Sequence, residues 1–97
     1  MLTNENLLKE RDHPAGIGGV QRLYRFKSGY GLLLVNSPML HYYPFAWEAV
    51  VLKNMSEDGE IFELTYDTEL TKDIKIFSSD EEANNFILNA ASVIGAL

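Results

Sequence analysis

The sequence predicts one α+β domain, a small antiparallel β-meander of four to five strands covered by a C-terminal helix. Two observations lead to this prediction. Between residues 20 and 66, segments rich in β-branched, aromatic and leucine residues alternate with turn signals, as is typical of antiparallel strands. Residues 79–95 instead place apolar residues at helical spacing behind a capping signal. The length of 97 residues fits a single domain over residues 1–97.

The N-terminal segment precedes the predicted sheet and ends in a run of glycines. Residues 3–11 are compatible with a short helix capped by Thr3 or Asn4. Pro14 and the glycines within residues 16–19 interrupt regular structure. Outside the short helix, residues 1–19 are therefore expected to be a flexible segment before the first strand. The glycine run has neither a preceding strand nor a closing lysine and hydroxyl residue, which argues against a phosphate-binding loop.

The first predicted hairpin joins strands at Val20–Lys27 and Tyr30–Asn36 through the turn Ser28-Gly29. Residues 32–35 are apolar on both faces, which is typical of a central strand covered on both sides. Period-two spacing in the first strand predicts which residues point to the core. These are Val20, Tyr24 and Phe26.

The second predicted hairpin joins strands at Ala46–Lys53 and Ile61–Tyr66, with Asp58-Gly59 as its turn signature. Apolar and polar residues alternate in the later strand, which indicates that one of its faces contacts water. The apolar face of that strand is expected to carry Phe62, Leu64 and Tyr66, and the wet face Glu63 and Thr65.

The C-terminal part of the chain contains the clearest helix signal. Ser79 and Glu82 have the spacing of a capping box, and the acids between them suit the positive end of the helix dipole. Gly95 suits the helix end. Before the helix, Ile74, Ile76 and Phe77 are expected to be buried by a short strand or a helical turn. The stripe expected to face the sheet is Ala83, Phe86, Ile87, Ala90 and Ile94.

The charge distribution is uneven along the chain, whose formal net charge is −6. Residues 1–53 hold six lysines and arginines against four acids, whereas residues 54–97 hold two lysines against ten acids. An acidic half repels phosphate backbones. Two interpretations remain open: the acids keep the protein in solution, or they form a face that docks on a basic partner.

Composition argues against several classes of function. The chain has no cysteine, so neither a disulfide framework nor a thiolate metal site is expected. His13 and His41 are the only histidines and lie too far apart for a zinc motif. No catalytic motif is present, so we predict a protein that is not an enzyme and needs no cofactor or metal. Without a signal peptide or a membrane-spanning apolar run, a cytoplasmic location is expected.

Four segments, in their order along the chain, resemble a known group of sequences. They are Ser28-Gly29-Tyr30-Gly31, the run 47–52, the run 64–73 beginning Leu-Thr-Tyr-Asp-Thr, and the acidic run 79–82. This order resembles a set of small, uncharacterised proteins of tailed bacteriophages and prophages, in which asparagine is usual at the position of Ser28. The similarity covers roughly residues 22–88, and Lys72 interrupts an acidic pair of the pattern. The resemblance implies a phage or mobile-element context and supplies no catalytic residue.

The segment from Asn36 to Phe45 contains the strongest sequence signal for binding. It joins two predicted strands with more residues than hairpins ordinarily use, and it concentrates apolar and aromatic side chains around two prolines. Tyr and Met are enriched at protein interfaces. The alternative is that these side chains fold back over the sheet as core. The predicted residues for binding a host or phage protein are Met39, Leu40, His41, Tyr42, Tyr43 and Phe45.

Two other modes of action stay open on the sequence. Residues 20–30 form a basic aromatic hairpin that can bind single-stranded nucleic acid by charge and stacking. A self-associating structural protein is the other alternative, with a homodimer formed through an apolar C-terminal helix. The nucleic-acid residues would be Arg22, Tyr24, Arg25, Lys27 and Tyr30. The dimer residues would be Ile87, Val93, Ile94 and Leu97.

Overall fold

A computed structural model describes residues 2–12, 19–36, 47–66 and 75–95. These residues form an antiparallel sheet with one long helix packed against it. The predicted α+β class and C-terminal helix are confirmed. The strands are β1 (Leu7–Asp12), β2 (Val20–Arg25), β3 (Gly31–Asn36), β4 (Trp47–Lys53), β5 (Glu63–Thr65) and β6 (Lys75–Phe77). The helix is α1 (Asp80–Val93).

The strands lie in the order in which they occur along the chain, from β1 to β5, and each pairs antiparallel with the next. The predicted meander and both hairpins are therefore confirmed. Strand β4 pairs with β3 on one side. On its other side it pairs with β5 through residues 51–53 and with β6 through residues 47–49. Thus β5 and β6 share one outer edge of the sheet, one after the other.

The N-terminal residues form a strand where a short helix over residues 3–11 was expected. Strand β1 pairs with β2 from Leu7↔Tyr24 to Asp12↔Val20, and the register shifts between Leu7 and Lys9. An isolated helix of this length is only marginally stable in water. The free edge of β2, in contrast, offers backbone N–H and C=O groups that can form hydrogen bonds with this segment. The helix prediction was wrong because the competing backbone partners lie in another segment of the chain, beyond the residues that a local helix signal involves.

The face of the sheet that carries α1 forms the main core. Tyr24, Leu32 and Val51 are fully buried there, and the helix contributes Ala83 and Ile87. The predicted helical stripe and the predicted core face of β2 are therefore confirmed. Each fully buried leucine- or valine-sized side chain stabilises the fold by roughly 1.5–3 kcal/mol through removal from water.

The opposite face of the sheet has a second, smaller apolar cluster. Leu23, Val50, Leu52 and Met55 are buried in it, and Leu33 packs against it. The predicted covering of β3 on both faces is confirmed by this cluster. The segment that follows β4 helps to cover this face, because the side chain of Met55 is buried in the cluster. The backbone N–H of Met55 donates to Gly29 O at 3.0 Å.

Helix α1 begins at the predicted cap. The backbone N–H of Glu82 donates to Oγ of Ser79 at 3.2 Å, and the Glu82 carboxylate accepts from the backbone N–H of Ser78. The helix ends at Val93, and the backbone N–H of its C-cap, Ile94, donates to Ala90 O at 2.9 Å. Within the described residues, α1 is too short and too polar to cross a lipid bilayer.

Candidate interaction surface

The predicted protein-binding segment lies outside the residues that the structure describes. This applies to Met39, Leu40, His41, Tyr42, Tyr43 and Phe45. Their assignment to protein binding stays a prediction.

Tyr24 of the predicted nucleic-acid hairpin is a core residue. Its ring has no exposed surface, because it packs between the sheet and α1. Burial raises the pKa of its hydroxyl, and the hydrogen bond from Arg22 acts in the opposite direction. Its assignment as a stacking platform is wrong for this conformation, since a base needs an open aromatic face.

Arg22 is engaged inside the protein. Its Nε donates to the hydroxyl of Tyr24 at 2.9 Å, and its Nη2 donates to Asn4 Oδ1 at 2.8 Å and to the carbonyl of Thr3 at 3.2 Å. It also forms an ion pair with Glu10. Because the carbonyl of Thr3 accepts from the Tyr24 hydroxyl as well, this network holds the N-terminal segment against the sheet.

The other hairpin residues are distributed over different environments. Arg25 donates from Nε to the carbonyl of Met55 at 3.2 Å. Tyr30 is half-buried and packs against the main core, whereas Lys27 is exposed. The five predicted residues are therefore not brought together on one exposed face.

A different group of side chains stands out as exposed and apolar. Ile61 is 71% exposed, Leu64 51%, Tyr66 39% and Ile76 64%. We call these four residues the edge surface. Large apolar side chains exposed together are typical of sites that bind other proteins.

Three of these four residues follow the outer side of β4. Leu64 pairs with Leu52 and Ile76 pairs with Glu48, so both point to the face opposite α1. These partners are four residues apart on β4, which is about 13 Å at roughly 3.3 Å per residue. Tyr66 is two residues beyond Leu64, and the alternation of a strand places it on the same face.

The orientation of β5 differs from the sequence prediction. Thr65 pairs with Val51 and is buried on the helix-bearing face, whereas Leu64 and Tyr66 are exposed. Ile76, which was expected to be buried, is exposed as well. These assignments were wrong because β4 is apolar on both faces, so alternation in the next strand does not reveal which face the helix covers.

Carboxylates are frequent in the segment that leads from β4 to β5. Residues 54–66 contain four acids and no lysine or arginine. Glu60 forms an ion pair with Lys9, and Glu63 accepts from the side chain of Asn54. Hydrogen bonds from Ser56 Oγ and from the Glu60 backbone lower the pKa of the exposed Asp58 carboxyl, which keeps it charged to lower pH.

The helix residues predicted to form a dimer are divided between core and surface. Ile87 and Ile94 are buried in the chain's own core, and Val93 is 36% exposed. Leu97 lies outside the described residues. Leu88 is 48% exposed on the helix and provides a comparison residue for the edge surface.

The described part of the chain contains no cluster of three or more histidine, cysteine or acidic side chains arranged to hold a metal ion. The edge surface stands as the candidate site there, on the basis of its exposure and geometry. Comparison of the chain with protein-family models, with curated proteins and with solved structures returned no match.

Proposed function

We propose that this chain is a non-enzymatic accessory protein of a phage or prophage that acts by binding a host or phage protein. The observation that supports it best is the edge surface, where Ile61, Leu64 and Ile76 are each more than half exposed. Burial of apolar area is favourable by roughly 25 cal/mol per Å², so a partner that covers these side chains gains free energy.

Protein is favoured over nucleic acid as the partner class. The basic residue Arg22 is engaged with Glu10, Asn4 and the carbonyl of Thr3, and Tyr24 is buried. A net charge of −6 also opposes association with a phosphate backbone.

The phage context rests on the sequence resemblance over roughly residues 22–88. In that context the partner is a protein of the host or of the phage, and the site of action is the bacterial cytoplasm. The apolar segment with Tyr42 and Tyr43 is a second contact in this proposal, adjacent in sequence to β4.

The test is affinity capture from a bacterial lysate, untreated and nuclease-treated, with four tagged proteins. They are the wild type, Leu64→Ser/Ile76→Ser, Tyr42→Ala/Tyr43→Ala and the control Leu88→Ser. Circular dichroism and thermal unfolding establish that each variant is folded. Proteins that are enriched are then purified and titrated calorimetrically against the same set.

The expected result is a protein that binds the wild type and Leu88→Ser directly and loses affinity for Leu64→Ser/Ile76→Ser. A loss of affinity in Tyr42→Ala/Tyr43→Ala as well would support the second contact, through the segment with Tyr42 and Tyr43. The proposal is overturned when no purified protein binds, or when every bound protein binds all four forms equally. Capture that disappears after nuclease treatment would instead support the nucleic-acid alternative.

A further inference from the structure

We propose that residues 2–12 form an exchangeable strap, and that the groove which holds this strap also binds the same segment of a second copy of the chain. The strap comprises β1 and the residues that precede it. This inference goes beyond the proposed function and does not depend on it, because it concerns contacts between copies of the chain itself.

The start of the strap is bound in the way that a receptor binds a peptide. Leu2 is buried in the main core. The backbone N–H of Thr3 donates to Oδ1 of Asn84 at 2.7 Å. The carbonyl of Thr3 accepts from the hydroxyl of Tyr24 at 3.0 Å and from Nη2 of Arg22 at 3.2 Å. The three side chains that bind this backbone all lie outside the strap, so the strap contacts them as a separate segment.

The rest of the strap has one neighbour in the sheet. Strand β1 pairs with β2 and with no other strand that the structure describes. Residues 3–12 are half-buried or exposed, and the two states alternate along β1. Release of the strap therefore leaves the contacts among β2 to β6 and α1 in place. Terminal elements of this kind open at a lower free energy than the whole fold.

An empty groove would be unfavourable, and the strap of a second copy can fill it. Without the strap, Tyr24 and Arg22 lose their acceptor at Thr3, and the apolar site of Leu2 is open to water. The structure shows one segment that satisfies these groups, and every copy of the chain carries it. Exchange of an identical element between copies is a low-cost route to a dimer, because each copy regains the contacts it gave up.

The charges of the strap favour the same occupant. Glu10 forms an ion pair with Arg22, and Lys9 forms one with Glu60. In an exchanged dimer both pairs form between copies, so opposite charges meet although each chain has a net charge of −6. Association through the free edge of β1 would gain neither pair, because both would stay within each copy.

Disulfide trapping tests the exchange, since the chain has no cysteine of its own. Arg11 on β1 and Gln21 on β2 are directly opposite each other, which places their Cβ atoms about 4.5–5.5 Å apart. Arg11→Cys and Gln21→Cys are made in two full chains with tags of different mass. The folded proteins are mixed at low and high concentration and oxidised. A non-reducing gel and mass spectrometry then identify the linked positions.

Three further proteins accompany the test mixture. The double variant Arg11→Cys/Gln21→Cys, diluted as a single chain, should form an internal disulfide and so verify the register. A mixture of Arg11→Cys with Leu88→Cys measures linkage by random collision, because Leu88 is exposed on α1. Leu2→Ser, added to both chains of the test mixture, weakens the hold on the strap.

The test mixture is expected to yield at least about tenfold more disulfide between positions 11 and 21 than the control mixture yields between positions 11 and 88, because disulfides require specific geometry. This yield should rise with protein concentration. Leu2→Ser should accelerate the appearance of the disulfide about tenfold or more, since loss of a buried leucine side chain favours release of the strap.

Equal yields in the two mixtures, no acceleration by Leu2→Ser, or no internal disulfide in the double variant would each overturn the proposal. Linkage chiefly between position 11 of one copy and position 11 of another would identify association through the free edge of β1 and would overturn exchange as well. None of these results affects the proposed function, which is tested by capture of another protein.

Discussion

The indole Nε1 of Trp47, at the start of β4, donates a hydrogen bond to Oδ1 of Asp80, the first residue of α1, at 2.7 Å. Trp47 is buried in the main core, so this bond joins the first turn of the helix to the sheet. The sequence indicated that Asp80 favours the helix dipole. In the structure, Asp80 also accepts a hydrogen bond from the side chain of Trp47, which lies 33 positions earlier in the chain.

We expect Asp80→Ala to destabilise the protein by about 1–3 kcal/mol, because the buried indole N–H loses an acceptor. Urea unfolding followed by fluorescence measures this directly, since Trp47 is the single tryptophan. Asp80→Asn keeps an acceptor oxygen and should recover most of the loss. Glu81→Ala removes a neighbouring acid in the same turn and serves as control. Equal losses in Asp80→Ala and Glu81→Ala would contradict the role of the indole bond.

Leu2→Ala is expected to cost about 2–5 kcal/mol, as for other buried leucines. Leu2 is 5% exposed in the main core, although it precedes the first strand. The backbone N–H of Thr3 donates to Asn84 Oδ1 at 2.7 Å and helps to hold this segment against the helix. Leu8→Ala, at a residue 37% exposed, is the matched control. Equal losses in the two variants in denaturant titrations would refute the anchoring of Leu2.

Gly31→Ala should destabilise the protein by about 1–3 kcal/mol through overpacking. A Cβ at this position would overlap the carbonyl oxygen of Tyr24 and lie 2.6 Å from Sδ of Met55. Gly29 has a φ of +90° with open space around a Cβ, so Gly29→Asn is expected to be tolerated better. The melting temperature from circular dichroism should fall at least about 4 °C further for Gly31→Ala. A smaller fall than for Gly29→Asn would show that the strand relaxes around the new methyl group.

The buried hydroxyl of Tyr24 should make the folded state less stable above pH 10. Burial raises its pKa in the folded protein above the ordinary tyrosine value of 10.0. In that range the unfolded chain loses the proton while the folded chain keeps it, so the free energy of unfolding falls as the pH rises. Urea titrations between pH 8 and 11 should show a steeper decline for the wild type than for Tyr24→Phe. Parallel curves would indicate that Tyr24 does not contribute to the pH dependence.

The hairpins and the helix could be predicted because their signals are local. Gly29 supplies the left-handed turn between β2 and β3, and Ser79 supplies the cap of α1. The buried face of α1 could be predicted as well, because Ala83, Ile87 and Ala90 lie on one side of any helix formed by this segment.

The candidate site could not be predicted in the same way. Both Leu64 and Thr65 suit a strand, and the sequence assigned Leu64 to the buried side. Which residue is buried depends on which face of β4 receives α1, a choice made by packing across long sequence distances. The exposure of Ile76 follows from the same choice, because its partner Glu48 points away from the helix.

The sequence by itself determined the α+β class, the two hairpins, the start of the helix and the acidic character of residues 54–97. These features depend on residue spacing, turn chemistry and charge, which act within a few positions of the chain. Only the tertiary structure decided that residues 7–12 form a strand and that Leu64 and Ile76 face outward. Those outcomes depend on competition between non-local partners, since a strand edge or a helix face is available only once the rest of the sheet has formed.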